Sequence, residues 1–386
     1  MNSIEMPIQR TGSGRQGRSS VPGSRAIFAA LIAFAGLGLL SITGCNLAEE
    51  EKTADEPKLA TTDMQSFSGA GSTFVAPLID RWTADFSKLN KVQINYRAIG
   101  SGAGISELRK GNPTFAASDA PLGDDQLKGL PPILQIPVTA GPVCVTYNLP
   151  GVSAPLRFSG RTLAGIFSGE IISWQDSAIA SENPGAKLPH AAIIVIHRSD
   201  GSGTTSIFTD FLSSVSPEWS KKTGHGLTVE WPAGIGADGS KTLLATVKQN
   251  PGTIGYVELN YAKEAGLPVA LVQNRAGEYV VPSPQSAALA VVANEAALEK
   301  DLRAPIVDPP ASAKGAYPIS GMTYVLIPKD DSVLGHRQAF KDFIAYAIGS
   351  GQESAEGLSY ARLPAAVQQR SQSLLAQLTD NGQPLK

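Results

Sequence analysis

Apolar residues recur along this chain at two spacings, and the spacing changes from segment to segment. Val75, Leu78, Ile79, Trp82, Phe86 and Leu89 fall at steps of three and four, which sets them on one face of a helix. Val92, Ile94, Tyr96 and Ala98 then alternate, as on a strand with one buried face. Gly100 to Gly104 is a glycine-rich turn, and Ile105 and Leu108 mark the helix it opens. The pattern returns further on. Ala191 to Ile196 is an unbroken apolar run, which predicts a strand buried on both faces. Asp200-Gly201-Ser202-Gly203 follows, and then Ile207, Phe208, Phe211 and Leu212 at helical spacing. Val143 to Tyr147, Ile254 to Val257 and Met322 to Ile327 also read as strands. Strands alternating with helices predict an α/β architecture. No internal repeat is visible.

The first 45 residues follow a different logic. Arg10, Arg15, Arg18 and Arg25 precede an apolar run from Ala26 to Leu40, the length of a signal-peptide core and short for a membrane span. Ile42-Thr43-Gly44-Cys45 closes it. This end resembles a bacterial lipoprotein signal, which implies cleavage after residue 44 and a lipidated (palmitate-bearing) Cys45. Residues 45–65 carry Glu49-Glu50-Glu51-Lys52 and Asp55-Glu56-Pro57 and read as a solvated tether. An exported chain, held to a bacterial membrane and facing the periplasm or cell exterior, is the expectation. After Cys45 no segment reads as transmembrane.

Composition narrows the function classes. The chain has 386 residues, 42% hydrophobic and 17% charged, with a formal net charge of −2. It lacks the basic excess of a nucleic-acid binder and is long enough for two lobes with separate cores. With Cys45 lipidated, Cys144 has no disulfide partner; in its apolar strand it reads as a buried, inert thiol. Neither a metal site nor a cofactor is expected. The four histidines are His190, His197, His225 and His336, and no G-x-S-x-G or H-E-x-x-H string organises a nucleophile or a zinc ion. Gly236 to Thr242 superficially suggests a P-loop, but its Gly and Lys are not adjacent.

Candidate chemistry lies in three Gly/Ser-rich junctions: Ser68 to Phe74, Ile99 to Gly104, and His197 to Thr205. Each precedes a helix. Helix starts leave N–H groups unpaired and carry partial positive charge, so each could hold an anion. Glycine lets the backbone approach closely, while Ser and Thr add hydroxyl donors. Such turns also serve simply as caps.

From about Ser66 to the end the chain closely resembles the phosphate-binding proteins of bacterial Pst-type ABC transporters, the PstS family. The most specific strings are Gly69 to Phe74, Ala117 to Leu122 and Arg198 to Thr204, supported by Pro251 to Glu258 and the terminal Gly382 to Leu385. The resemblance implies a bilobal α/β periplasmic-binding-protein fold of type II. Lobe one would comprise residues 66–138 plus 319–386, and lobe two residues 139–318. It implies high-affinity binding of inorganic phosphate by a non-catalytic monomer that delivers it to a membrane permease. Phosphate would be bound by Thr73, Phe74, Ser101, Asp119, Arg198, Ser202, Gly203 and Thr204, with Asp200 orienting Arg198. Ser72 and Ala103 vary positions where related chains often carry another small residue, and neither is expected to disturb the site. Asp119 is the informative member. A carboxylate facing an anion repels it unless it accepts a proton that the anion still carries. Phosphate carries one and sulfate does not, so the wrong ligand would leave a buried group unpaired. A receptor or adhesin for another oxyanion, and an exported phosphatase, are the competing readings.

Overall fold

A computed structural model of the protein describes residues 65–331 and 336–385. The signal segment, Cys45 and nearly all of the tether lie outside the described residues. Among the described residues, eight strands form one mixed sheet: β1 (Gln65–Gly71), β2 (Val92–Ala98), β3 (Phe115–Ser118), β4 (Ile133–Tyr147), β5 (Ile194–Arg198), β6 (Ile235–Ala237), β7 (Thr253–Glu258) and β8 (Ser320–Pro328). Their order across the sheet is β2-β1-β3-β8-β4-β7-β5-β6. Helices around this sheet include α1 (Ala76–Asn90), α2 (Ser101–Arg109), α3 (Gly203–Val215), α4 (Gly239–Gln249), α5 (Leu259–Ala265), α6 (Pro284–Ala293) and α7 (Arg337–Ile348).

The long strand β4 divides the sheet in two. Its first part, Ile133 to Pro142, pairs antiparallel with β8, which in turn pairs antiparallel with β3. Its second part, Val143 to Tyr147, pairs antiparallel with β7. On the far sides lie parallel pairs, β1 with β2 and β3, and β5 with β6 and β7. Parallel pairs need crossovers, and helices α1, α2, α3 and α4 lie between these strands in the chain. Each crossover begins at the C-terminal end of a strand, so the Gly/Ser-rich junctions are carried on strand ends of rigid backbone.

The hydrophobic pattern explains most of this packing. Leu78, Ile79, Trp82 and Phe86 of α1 are buried, and Phe67, Phe86, Phe340 and Phe343 meet edge-to-face or tilted between β1, α1 and α7. Fully burying side chains of this size stabilises the fold by about 1.5–3 kcal/mol each. The Trp82 indole N–H donates to the Gly351 carbonyl at 2.8 Å, so its polar edge is satisfied. Cys144 packs with Ile196, Leu243, Val247 and Val257 as expected of an inert thiol. Two details of the pattern fail. Leu89 is 82% exposed, because the last turn of α1 runs past the core and ends at Lys91 in the left-handed region. The Ala191–Ile196 run enters the sheet only at Ile194, whose side chain is itself exposed, and burial begins at Val195.

Candidate anion site

The three junctions converge. The first leaves β1 at Gly71 and reaches α1 through Ser72, Thr73, Phe74 and Val75. Tyrosine hydroxyls pin three successive carbonyls of this turn: Tyr96 donates to Ser72 O at 2.8 Å, Tyr261 to Thr73 O at 3.0 Å and Tyr360 to Phe74 O at 2.5 Å. With its carbonyls held outward on these phenols, the turn has a fixed shape. The Phe74 ring lies in the core against Tyr360, leaving its main chain at the turn. In the second junction Ser101 opens α2 after Gly100, which takes φ +86°, a region glycine adopts without strain.

The third junction supplies Arg198, Asp200 and the start of α3. Arg198 is buried at the end of β5. Its Nε donates to Asp200 Oδ1 at 2.6 Å and its Nη2 to Asp200 Oδ2, the planar two-bond pairing that guanidinium geometry favours. Asp200 also accepts from the Gly239 N–H at 3.1 Å. Capping of α3 falls to Ser202, whose hydroxyl accepts from Thr205 N at 3.1 Å. The Ser202 N–H donates to Leu227 O, so what Ser202 can still offer is its hydroxyl proton.

Contacts then link the junctions to one another. Arg198 Nη1 donates to Thr73 Oγ1 at 3.2 Å and to Ser240 Oγ at 3.0 Å. Gly203 N donates to Ser101 Oγ at 3.2 Å. Gly102 N donates to Gly201 O at 2.8 Å. A Cβ on Gly203 would stand 2.5 Å from Asp119 Oδ2, so only glycine lets the start of α3 approach that carboxylate. Cavities of about 620 Å³ beside Asp119 and about 440 Å³ beside Thr73 and Ser240 flank the cluster.

Asp119 sits just past β3 with 4% of its surface exposed. Ser72 Oγ lies 2.7 Å from each of its oxygens, Thr323 Oγ1 donates to Oδ1 at 2.7 Å, and Ser101 Oγ stands 3.5 Å from Oδ2. Burial pushes the carboxyl up to about 7, against the pull of the Thr323 and Ser72 hydroxyls; Glu258 adds to the rise and Arg198 opposes it. For Asp200 burial acts in the same upward direction but is overcome by its bonds to Arg198, which hold it below the usual carboxylate value. Burial would lower the Arg198 guanidinium, yet Asp200 and then Glu258 raise it above its ordinary value. It stays charged.

Sequence reasoning missed Ser72, Ser240, Glu258 and Thr323 as members of this cluster. Ser72 stood inside the quoted Gly69–Phe74 string but was set aside as a neutral small residue; its hydroxyl in fact touches both oxygens of Asp119. Thr323 and Ser240 are ordinary residues of a strand and a helix, and only the fold brings them to Asp119 and Arg198. His197 is not aimed at the cluster: it stacks on Trp231 with its Nδ1 3.0 Å from Arg198 O.

A family model described as a PBP superfamily domain matches residues 51–350. The phosphate-binding protein PstS of Xylella fastidiosa is 38% identical over 349 residues, covering 86% of this chain and 94% of its own length. PstS of Pasteurella multocida is 38% identical over 314 residues, covering 81% and 90%. This chain belongs to the PstS family of phosphate-binding proteins. A solved high affinity periplasmic phosphate-binding protein, PfluDING, bound with phosphate, superposes with a TM-score of 0.63 at 22% identity, covering 80% of this chain and 93% of that one. The expected bilobal α/β binding-protein fold is therefore the fold observed.

Proposed function

We infer that this chain binds inorganic phosphate and serves an ABC-type phosphate importer as its solute receptor. One observation carries the reading. A permanently charged guanidinium, the hydroxyls of Thr73, Ser101 and Thr204, and a carboxyl poised near neutrality meet in one buried place, in a chain of the PstS family. In this reading Arg198, Thr73, Phe74, Ser101, Ser202, Gly203 and Thr204 supply donors to the phosphate oxygens, and Asp119 accepts the ligand's proton. Asp200 keeps Arg198 flat and aimed.

Phosphate would bridge two lobes, residues 66–138 plus 319–386 and residues 139–318. The pairing change on β4 falls between Pro142 and Val143, so a division within this strand is supported, with residues 139–142 still paired to β8 on the lobe-one side. Helix α6 packs with Ile105, Leu108 and Leu326 on the lobe-one side, so that part of the middle segment moves with lobe one. Only the closed form satisfies donors from both lobes, and ligand therefore favours it. The protein acts as a monomer, exported and held to the membrane through a lipidated Cys45, and it performs no catalysis. Calorimetric titration of the dialysed chain with phosphate, arsenate and sulfate tests the reading. Tight one-to-one binding of the first two with no heat from sulfate is expected; silence toward phosphate, or equal affinity for sulfate, overturns it.

A further inference from the structure

Glu258 closes β7 with 1% of its surface exposed, and phosphate binding as described above gives it no part. Its Oε1 accepts the Thr204 hydroxyl at 2.7 Å and the Ser240 hydroxyl at 3.0 Å. Its Oε2 is buried and has no hydrogen-bond partner among the described residues. Ser240 has one hydroxyl proton, and that proton goes to Glu258. In the 2.8 Å contact between Thr73 and Ser240 the proton then comes from Thr73. Arg198 Nη1 donates to the same Ser240 oxygen. Thr73, Thr204 and Arg198 thus all run, directly or through one hydroxyl, to a single carboxylate oxygen.

We propose that Glu258 is an affinity-setting internal acceptor, a carboxylate that competes with the bound oxyanion directly for the proton of Thr204 and, through the Ser240 hydroxyl, for Thr73 and Arg198. The inference rests on the phosphate reading above. A hydroxyl has one proton and cannot give it to Glu258 and to a ligand oxygen together. For Thr204, donation to phosphate is therefore an exchange of one anionic acceptor for another, and for Thr73 it gives up the Ser240 oxygen that is itself polarised by Glu258, so the net gain is reduced. The carboxylate also repels the incoming anion across a short, poorly solvated distance. The opposite role is physically distinct: were Glu258 a scaffold that aims the hydroxyls at the ligand, weakening it would weaken binding.

Glu258→Gln separates the two. The amide keeps the shape and one acceptor oxygen but loses the charge, and charge-assisted hydrogen bonds are about twice as strong as neutral ones. Calorimetry with sodium phosphate on the full chain, wild type beside Glu258→Gln, should show the dissociation constant of the variant about tenfold lower. An equal or higher constant, in a variant that melts cooperatively, overturns the proposal. If that variant does not fold, Ser240→Ala carries the test, because it cuts the Thr73 and Arg198 arms while leaving the charge. A constant about threefold lower is expected, of the size of one modest hydrogen bond, and an equal or higher one overturns the proposal. Binding by wild type without gain in the variant refutes this inference alone. Absence of phosphate binding by wild type refutes the phosphate reading and this inference with it.

Discussion

Asp119 and Asp200 are the same residue type in the same cluster, the first buried and the second half-buried, and their surroundings push them in opposite directions. Asp200 faces the two-pronged guanidinium of Arg198 and the Gly239 N–H, and it is held below its ordinary value. Asp119 faces three neutral hydroxyls, with no cation in hydrogen-bonding contact among the described residues, and burial lifts it to about 7. Under the phosphate reading proposed above, the difference suits the two residues to different roles. A carboxylate held below its ordinary value can hold an arginine in one orientation at any physiological pH. A carboxyl near its midpoint can take either side of a proton shared with a ligand.

The largest expected effect breaks the Asp200 pole. Arg198→Ala should weaken phosphate binding by roughly 2–4 kcal/mol, the range for leaving one partner of a buried charge pair uncompensated; calorimetry reads it, and unchanged affinity removes Arg198 from the site. Next comes stability, where the two poles have opposite signs. Because the fold raises Asp119 from 3.8 to about 7, the native state binds the extra proton in that window, and stability falls as pH rises through it. Asp200 is lowered, so its contribution is present above its unfolded value and is lost as pH falls through its folded value. Asp119→Asn should therefore be more stable than wild type by up to about 4 kcal/mol at pH 8, with the gap closing near pH 4 in urea unfolding; a gap independent of pH contradicts the shift.

A smaller effect concerns selectivity. Asp119→Asn should narrow the preference for phosphate over sulfate by about tenfold, since the amide can donate to a bare oxygen where the carboxylate cannot; parallel titrations with both anions would show it. The smallest change sharpens the comparison from within. Ser72→Ala removes a hydroxyl that lies 2.7 Å from each oxygen of Asp119. The carboxyl should rise further, and phosphate affinity at pH 8 should shift by about threefold, the size of one modest hydrogen bond; no movement of the pH profile would return Ser72 to the role of an inert small residue.

The two poles were also unequally legible in the sequence. Arg198 and Asp200 are two residues apart at a strand end, so their pairing could be anticipated from one string. The surroundings of Asp119 come from Ser72, Ser101 and Thr323, and the last of these is 204 positions away. No local pattern carries such a contact; it exists only because β8 lies beside β3 in the sheet. Glu258 was hidden for the same reason, as the polar end of an apolar strand. Among the elements, helices with a strong apolar face were readable, while Leu89 and Ile194 show the limit. Periodicity tells which residues share a face but not where the neighbouring layer ends.

The most direct test of this account is a pH titration of the aspartate carboxyl carbons by NMR, with selective labelling and assignment from Asp119→Asn and Asp200→Asn. The account predicts that Asp119 titrates at about 7 and Asp200 below 3.8. Two carboxyls titrating together at the ordinary value would contradict it.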